Sequence, residues 1–345
     1  MHLAQVLSPI SWTHKLDPGK YAVEDHNAAE MLWASRGFGE VRLEASQIPA
    51  FDRERIWKAG TRVLVVRVGG FGDLLWLNPI YARMREAGVY VGHSCFARYA
   101  DILDGFVDEW VPYPLRHEDS SRFDEIVWLE NAIEGRACLG TEHPATRLAA
   151  ILNCPLPLPP AAAYRITTEE MKIAGPAWPR TLKPRVCVQL GSSGATKDYP
   201  RMPELLAKIH EAGFEVLIVG NPRGPVEPVP DDIFDCSQRN LTIRQSIAMA
   251  ALCDAIIAPD SVFVHVGHAL GIPVVGLFGP FSAPTYMHGY KGVAMQGRGK
   301  CSPCSWHPRG TAFPPEGPCA KSGYCNALAN IPVKDVLFML KQALK

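Results

Sequence analysis

Asp260-Ser261-Val262-Phe263-Val264-His265-Val266-Gly267-His268-Ala269-Leu270-Gly271-Ile272-Pro273-Val274-Val275-Gly276-Leu277-Phe278-Gly279-Pro280 decides the fold class. A buried strand, Ala255 to Ala258, runs into it. Asp260 and Ser261 read as capping residues, followed by a short apolar helix stopped by Gly271 and a second strand ending in Gly-Pro. That is one unit of an open α/β sheet. Ligands of such sheets sit beyond the carboxyl ends of the strands, where a helix start offers unpaired N–H groups to an anion. Asp260, Ser261 and His265 are therefore expected to face a phosphate-bearing ligand.

The same alternation extends outward in both directions. Downstream of a proline-rich stretch from Pro155 to Pro184, strands are expected at Arg185 to Leu190 and Glu215 to Val219, and helices at Met202 to Ala212 and Ile243 to Leu252. Upstream, the β-branched run Val63-Leu64-Val65-Val66-Arg67-Val68 has the texture of a parallel strand covered on both faces. Further strands are expected at Tyr90 to His93, Glu109 to Pro112 and Glu125 to Leu129, with helical spacing from Phe96 to Leu103. The division expected is an N-terminal extension (1–60) of unassigned role, an α/β domain (61–175) and a second α/β domain (176–345) carrying a cysteine-rich loop (300–326), with a cleft between the two domains. Within the extension, one helix is expected around Asn27 to Ser35.

Composition narrows the function. The 345 residues carry 35 basic and 35 acidic side chains, and the basic ones are scattered, which argues against a nucleic-acid partner. No apolar run approaches the roughly 20 residues of a membrane span, and the start lacks the pattern of a signal peptide, so a cytoplasmic protein is expected. Most of the ten cysteines lie singly in apolar segments, as Cys187, Cys236 and Cys253 do, and read as reduced core thiols.

Three constellations can carry chemistry. In Arg67-Val68-Gly69-Gly70-Phe71-Gly72-Asp73-Leu74-Leu75-Trp76, the glycines Gly69, Gly70 and Gly72 let a ligand approach the backbone. Asp73 is there either a helix-start carboxylate or a general base for a hydroxyl. The spacing fits neither the dinucleotide fingerprint nor the P-loop. In Gln189-Leu190-Gly191-Ser192-Ser193-Gly194-Ala195-Thr196-Lys197-Asp198-Tyr199-Pro200, small hydroxyl residues and Lys197 suit a diphosphate, the alternative being a polar surface loop. Cys301-Ser302-Pro303-Cys304 with Cys319 and Cys325 suits a structural tetrahedral metal, His307 being a substitute ligand and reduced loop thiols the alternative. Trp76 reads as packing, Pro79 as a local kink, and His268 as a core or edge histidine.

Taken together, Leu64 to Asp73, Gly191-Ser192-Ser193 with Lys197-Asp198-Tyr199-Pro200, and Asp260-Ser261 with His265 through Pro280 resemble the family 9 glycosyltransferases, the ADP-heptose heptosyltransferases. The resemblance runs from about Arg62 to the end. It implies an α/β chain of GT-B fold, two facing Rossmann-like domains, the first serving the acceptor and the second holding the donor nucleotide. It implies inverting transfer of a heptose-like sugar from an ADP-sugar to a hydroxyl of lipopolysaccharide core or protein Ser/Thr, with Asp73 as catalytic base and no catalytic metal. Gly69, Gly70 and Gly72 form the acceptor-side loop; Gly191, Ser192, Ser193, Lys197, Asp260, Ser261 and His265 bind the donor. Val262 departs from the family, which usually has glycine there, and this keeps open a different nucleotide sugar or a non-catalytic binding or scaffold role. The cysteine pattern is similar to that of the autotransporter heptosyltransferase branch, known for an iron-holding finger, so iron or zinc is expected at Cys301, Cys304, Cys319 and Cys325. Oligomers are compatible with all of these readings.

Overall fold

The computed structural model describes residues 2–6, 10–11, 15–16, 19–23, 41–45, 57–130, 132–133, 142–157, 159, 161–192, 194–220, 233–236, 238–304 and 318–345. The helix expected around Asn27 to Ser35 lies outside them, as do Ser193 and His307. The chain divides into two compact units. One comprises Met1–Gly69, Leu77–Ile133 and Leu148–Leu156, and the other Gly70–Trp76, Glu134–Arg147 and Pro157–Lys345.

In the first unit, β1 (His2–Val6), β2 (Ile10–Ser11), β3 (Lys15–Leu16), β4 (Gly19–Val23) and β5 (Val41–Ala45) form two small antiparallel sheets, β4-β1-β5 and β2-β3. This part of the sequence carried no strong period because the strands are two to five residues long and β5 pairs with a strand some 40 positions away. After it come β6 (Arg62–Val66), β7 (Tyr90–Cys95), β8 (Glu109–Pro112) and β9 (Glu125–Trp128), a parallel sheet in the order β8-β7-β6-β9. Leu64, Val66, Val111, Leu115, Phe123 and Ile126 close its core.

The second unit is built on a six-stranded parallel sheet, order β12-β11-β10-β13-β14-β15, from β10 (Arg185–Gln189), β11 (Glu215–Val219), β12 (Phe234–Asp235), β13 (Ala255–Pro259), β14 (Val274–Phe278) and β15 (Gly292–Gln296). The central strands β10, β13 and β14 are buried at every position, which is why they read as unbroken apolar runs. The helix Val262–Ala269 between β13 and β14 ends as expected: Gly271 has φ +70, its N–H bonds to the His268 carbonyl, and the Ile272 N–H reaches back to Gly267.

The proline-rich stretch carries a helix of its own, Thr168–Ala177, at whose start Thr167 and Glu170 form a reciprocal capping box. Arg244, on the helix Ile243–Ala250, pairs with Glu170 and donates to the Arg165 carbonyl at 3.2 Å, tying the stretch to the second unit. Pro79, expected to give a local kink, lies inside the helix Phe71–Glu86. Proline removes the N–H that would bond the carbonyl of Leu75, and the Ala163 amide takes that carbonyl instead, at 2.9 Å.

Candidate active site

The site is built where β10 and β13 end. Gln189, the last residue of β10 and buried, sends its side-chain N–H groups to the Gly191 carbonyl (2.8 Å) and to Ser261 Oγ (2.9 Å), while its Oε1 accepts from the Phe263 amide (3.2 Å). One amide thus joins the turn after β10 to the helix start after β13. Ser261 sits at the N-cap in extended backbone (φ −159, ψ −175), but its hydroxyl caps nothing, since Gln189 supplies the helix-start acceptor in its place. The capping role expected of Ser261 is therefore Gln189's. Sequence reasoning had no signal for Gln189 beyond its position directly before the Gly191 turn. Val262 opens the helix and is half-buried.

The loop after β10 is self-braced. Ser192 donates from its amide to Asp198 Oδ1 (2.8 Å) and from its hydroxyl to Asp198 Oδ1 (2.7 Å), and a short turn, Ala195–Lys197, follows. That turn brings the Lys197 ammonium to 3.1 Å from Asp260 Oδ2 and 4.9 Å from the centre of the Phe281 ring. Both members of the ion pair are largely withdrawn from water, the side chains being 13% and 4% exposed. A cation desolvated to this degree interacts with an incoming anion far more strongly than a surface lysine does. Tyr199 anchors the end of the loop by donating to the Ile331 carbonyl at 2.6 Å.

His265 lies one turn into the helix after β13, buried. Its Nδ1 is 2.9 Å from the Tyr290 hydroxyl, which also accepts from Trp76 Nε1 at 3.2 Å. Trp76 packs edge-on against His265 with ring centres 4.4 Å apart, and His268 stacks flat on Tyr290 at 3.9 Å. Trp76 therefore does more than pack, and neither it nor Tyr290 stood out in the sequence as a site residue. Burial, then the positive fields of His143, Lys197 and His268, push the His265 pKa well below its ordinary value, so the imidazole is neutral. Gly72 belongs to the same cluster: a Cβ there would stand 2.9 Å from His265 Cδ2, so only glycine lets the Gly70–Trp76 segment approach the ring. Asp73 follows it, half-buried in the first turn of the helix Phe71–Glu86, its amide bonded to the Gly70 carbonyl.

The cysteines part company. Cys319 and Cys325 are buried, Cys301 and Cys304 exposed. Among the described residues no three His, Cys, Asp or Glu side chains converge closely enough to hold a metal. Burial raises the Cys325 thiol to about 11, the neighbouring Cys319 and Cys304 adding to the effect. Cys187, Cys236 and Cys253 are buried free thiols, as expected.

The family model of glycosyltransferase family 9 (heptosyltransferase) matches residues 145–306, which take in the Gly191–Lys197 loop, Asp260, Ser261 and His265. Residues 145–306 are a family 9 glycosyltransferase domain. The chain is thus a glycosyltransferase, and solved structures of low sequence identity share its fold. Escherichia coli ADP-heptose LPS heptosyltransferase II is 17% identical, with a TM-score of 0.59 over 82% of this chain and 98% of that one. A family 9 glycosyl transferase from Veillonella parvula is 18% identical, with a TM-score of 0.53 over 67% and 84%. TibC of enterotoxigenic E. coli, described as an iron-containing dodecameric glycosyltransferase, is 15% identical, with a TM-score of 0.59 over 99% and 91%. No curated protein matches the sequence. The two α/β units, each on a parallel sheet, place this glycosyltransferase in the GT-B class. No helix among its described residues is long and apolar enough to cross a membrane.

Proposed function

We propose that this glycosyltransferase moves a heptose-like sugar from an ADP-sugar to an acceptor hydroxyl with inversion at the anomeric carbon. The observation that carries the reading is the assembly, inside one unit, of three stretches distant in sequence: Lys197 against Asp260, Gln189 bridging to Ser261, and Gly72 against His265. The family match covers two of the three, and ADP-heptose is the donor named for the E. coli heptosyltransferase of the same fold. The boundaries 61–175 for acceptor binding and 176–345 for donor binding are part of this proposal.

In the proposed step Asp73 takes the acceptor hydroxyl proton as that oxygen bonds to the anomeric carbon. The bond from that carbon to the diphosphate oxygen breaks on the opposite face, and its electron pair leaves with ADP. Negative charge growing on the diphosphate is met by Lys197 and by the helix start at Ser261. Acceptors are lipopolysaccharide core sugars or protein Ser/Thr.

Structural iron or zinc at Cys301, Cys304, Cys319 and Cys325 belongs to the proposal as well, supported by the iron-containing description of TibC and by Cys319 and Cys304 standing near enough to Cys325 to help raise its thiol. Elemental analysis of the purified protein finds near-stoichiometric metal if this part holds and none if it fails. The donor is tested by thermal unfolding with ADP, UDP and GDP, because the preferred nucleotide stabilises by mass action. A shift with ADP alone, followed by a heptose-sized mass gain on an acceptor incubated with ADP-heptose, is the expected result. A shift with UDP or GDP instead, or nucleotide binding with no sugar consumed, contradicts it.

A further inference from the structure

Trp76, His265, His268 and Tyr290 form a hydrogen-bonded and stacked cluster in which the direction of each bond can be worked out. Indole nitrogen only donates, so the Tyr290 oxygen accepts from Trp76 Nε1 at 3.2 Å. The phenol's own proton is buried and needs an acceptor, and Nδ1 of His265, at 2.9 Å, provides it. A neutral imidazole that accepts at Nδ1 carries its proton on Nε2. That edge of the ring is the one facing Gly72: a Cβ there would lie 3.5 Å from Nε2. No described residue takes the Nε2 proton.

We infer that Tyr290 is a positioning residue that locks His265 in the Nε2–H form, so that His265 presents a hydrogen-bond donor, and no base, beside the Gly72-Asp73 turn. His268 holds the Tyr290 ring from below with an interplanar angle of 2°, and the edge-on contact with His265 at 88° aims the hydroxyl along the imidazole plane. The charged and titratable groups facing this pair work the same way. His143, Lys197 and His268 oppose a proton on His265, and Asp260 opposes ionisation of Tyr290. For the transfer proposed above, on which the functional half of the inference rests, the consequence is a division of labour. His265 donates to the departing diphosphate or the sugar, and proton acceptance is left to Asp73.

Histidine-selective 15N NMR tests the lock without substrate, with His265→Gln identifying the resonance. Wild type is expected to show His265 as a single Nε2–H form at neutral pH. Tyr290→Phe keeps the ring and its stacking on His268 while removing the proton donor. It is expected to show a mixture of tautomers and a His265 that titrates at higher pH, since hydrogen bonding to the neutral form no longer opposes protonation. Should Tyr290→Phe fold poorly, Trp76→Phe relaxes the same lock from the other end and is expected to give a partial mixture. In turnover of ADP-heptose, Tyr290→Phe is expected to lower kcat about five- to tenfold, the worth of one hydrogen bond, with KM nearly unchanged. An Nδ1–H form in wild type, or an unaltered single tautomer in Tyr290→Phe, overturns the inference. The expected spectra in a protein that does not turn over ADP-heptose sustain the lock and remove the donor assignment instead.

Discussion

Each unit buries a tyrosine against a histidine, and the two pairs end differently. In the first, Tyr81 Oη lies 2.6 Å from His93 Nδ1, and His93 Nε2 lies 3.1 Å from the Arg67 carbonyl, so both ring nitrogens are spent on the protein. In the second, Tyr290 meets His265 Nδ1 in the same way, but no described residue meets the other nitrogen. Both histidines are neutral; burial, helped by the charge of Arg67, takes His93 to about 3 despite its bond to the Arg67 carbonyl. The difference separates a pair that closes a core from one that keeps a donor in reserve beside a glycine turn. Burial and a shifted pKa are shared by both, so neither identifies the functional pair; the unspent hydrogen bond does.

The comparison is broken most severely at Gly72. Gly72→Ala forces a methyl to 2.9 Å from the His265 ring, and displacing either side should cost on the order of 100-fold in kcat. Chemical denaturation should show a far smaller change in stability; loss of folding in step with activity would put Gly72 in the core instead. In the first unit the order reverses. His93→Leu strands the buried Tyr81 hydroxyl and should cost about 1–3 kcal/mol in urea unfolding, with kcat per folded molecule unchanged.

A smaller effect is common to both units. The unfolded chain binds histidine protons as pH falls through the ordinary value of 6.5, whereas folded His143 resists to about 4 and His93 to about 3. Stability is therefore full above pH 6.5 and drains away as pH falls, by roughly 1.4 kcal/mol per pH unit for each such histidine. Urea midpoints at pH 7, 6 and 5 check this, and His93→Leu should flatten the slope by one proton.

The sheets were legible in the sequence because a parallel strand covered on both faces is an uninterrupted apolar run, as in Val63 to Val66 and Ala255 to Ala258. The antiparallel strands near the N-terminus were not, since pairing rather than composition defines strands as short as Ile10–Ser11. Lys197, Asp260, Ser261 and His265 were legible as members of motifs; Gln189, Trp76 and Tyr290 were not named as site residues. Their roles arise from contacts 72, 74, 214 and 25 positions apart, which spacing along the chain cannot encode. The cysteine spacing suggested one site, and the fold leaves two thiols buried and two exposed.

The most direct test of the account is ADP release from ADP-heptose by wild type and by Asp73→Asn at equal folded concentration. A carboxylate acting as general base is worth about 10²- to 10⁴-fold, so the variant should retain nucleotide binding and lose turnover by at least the lower figure. Equal rates in the two proteins would remove Asp73 from the chemistry and contradict the mechanism built on it.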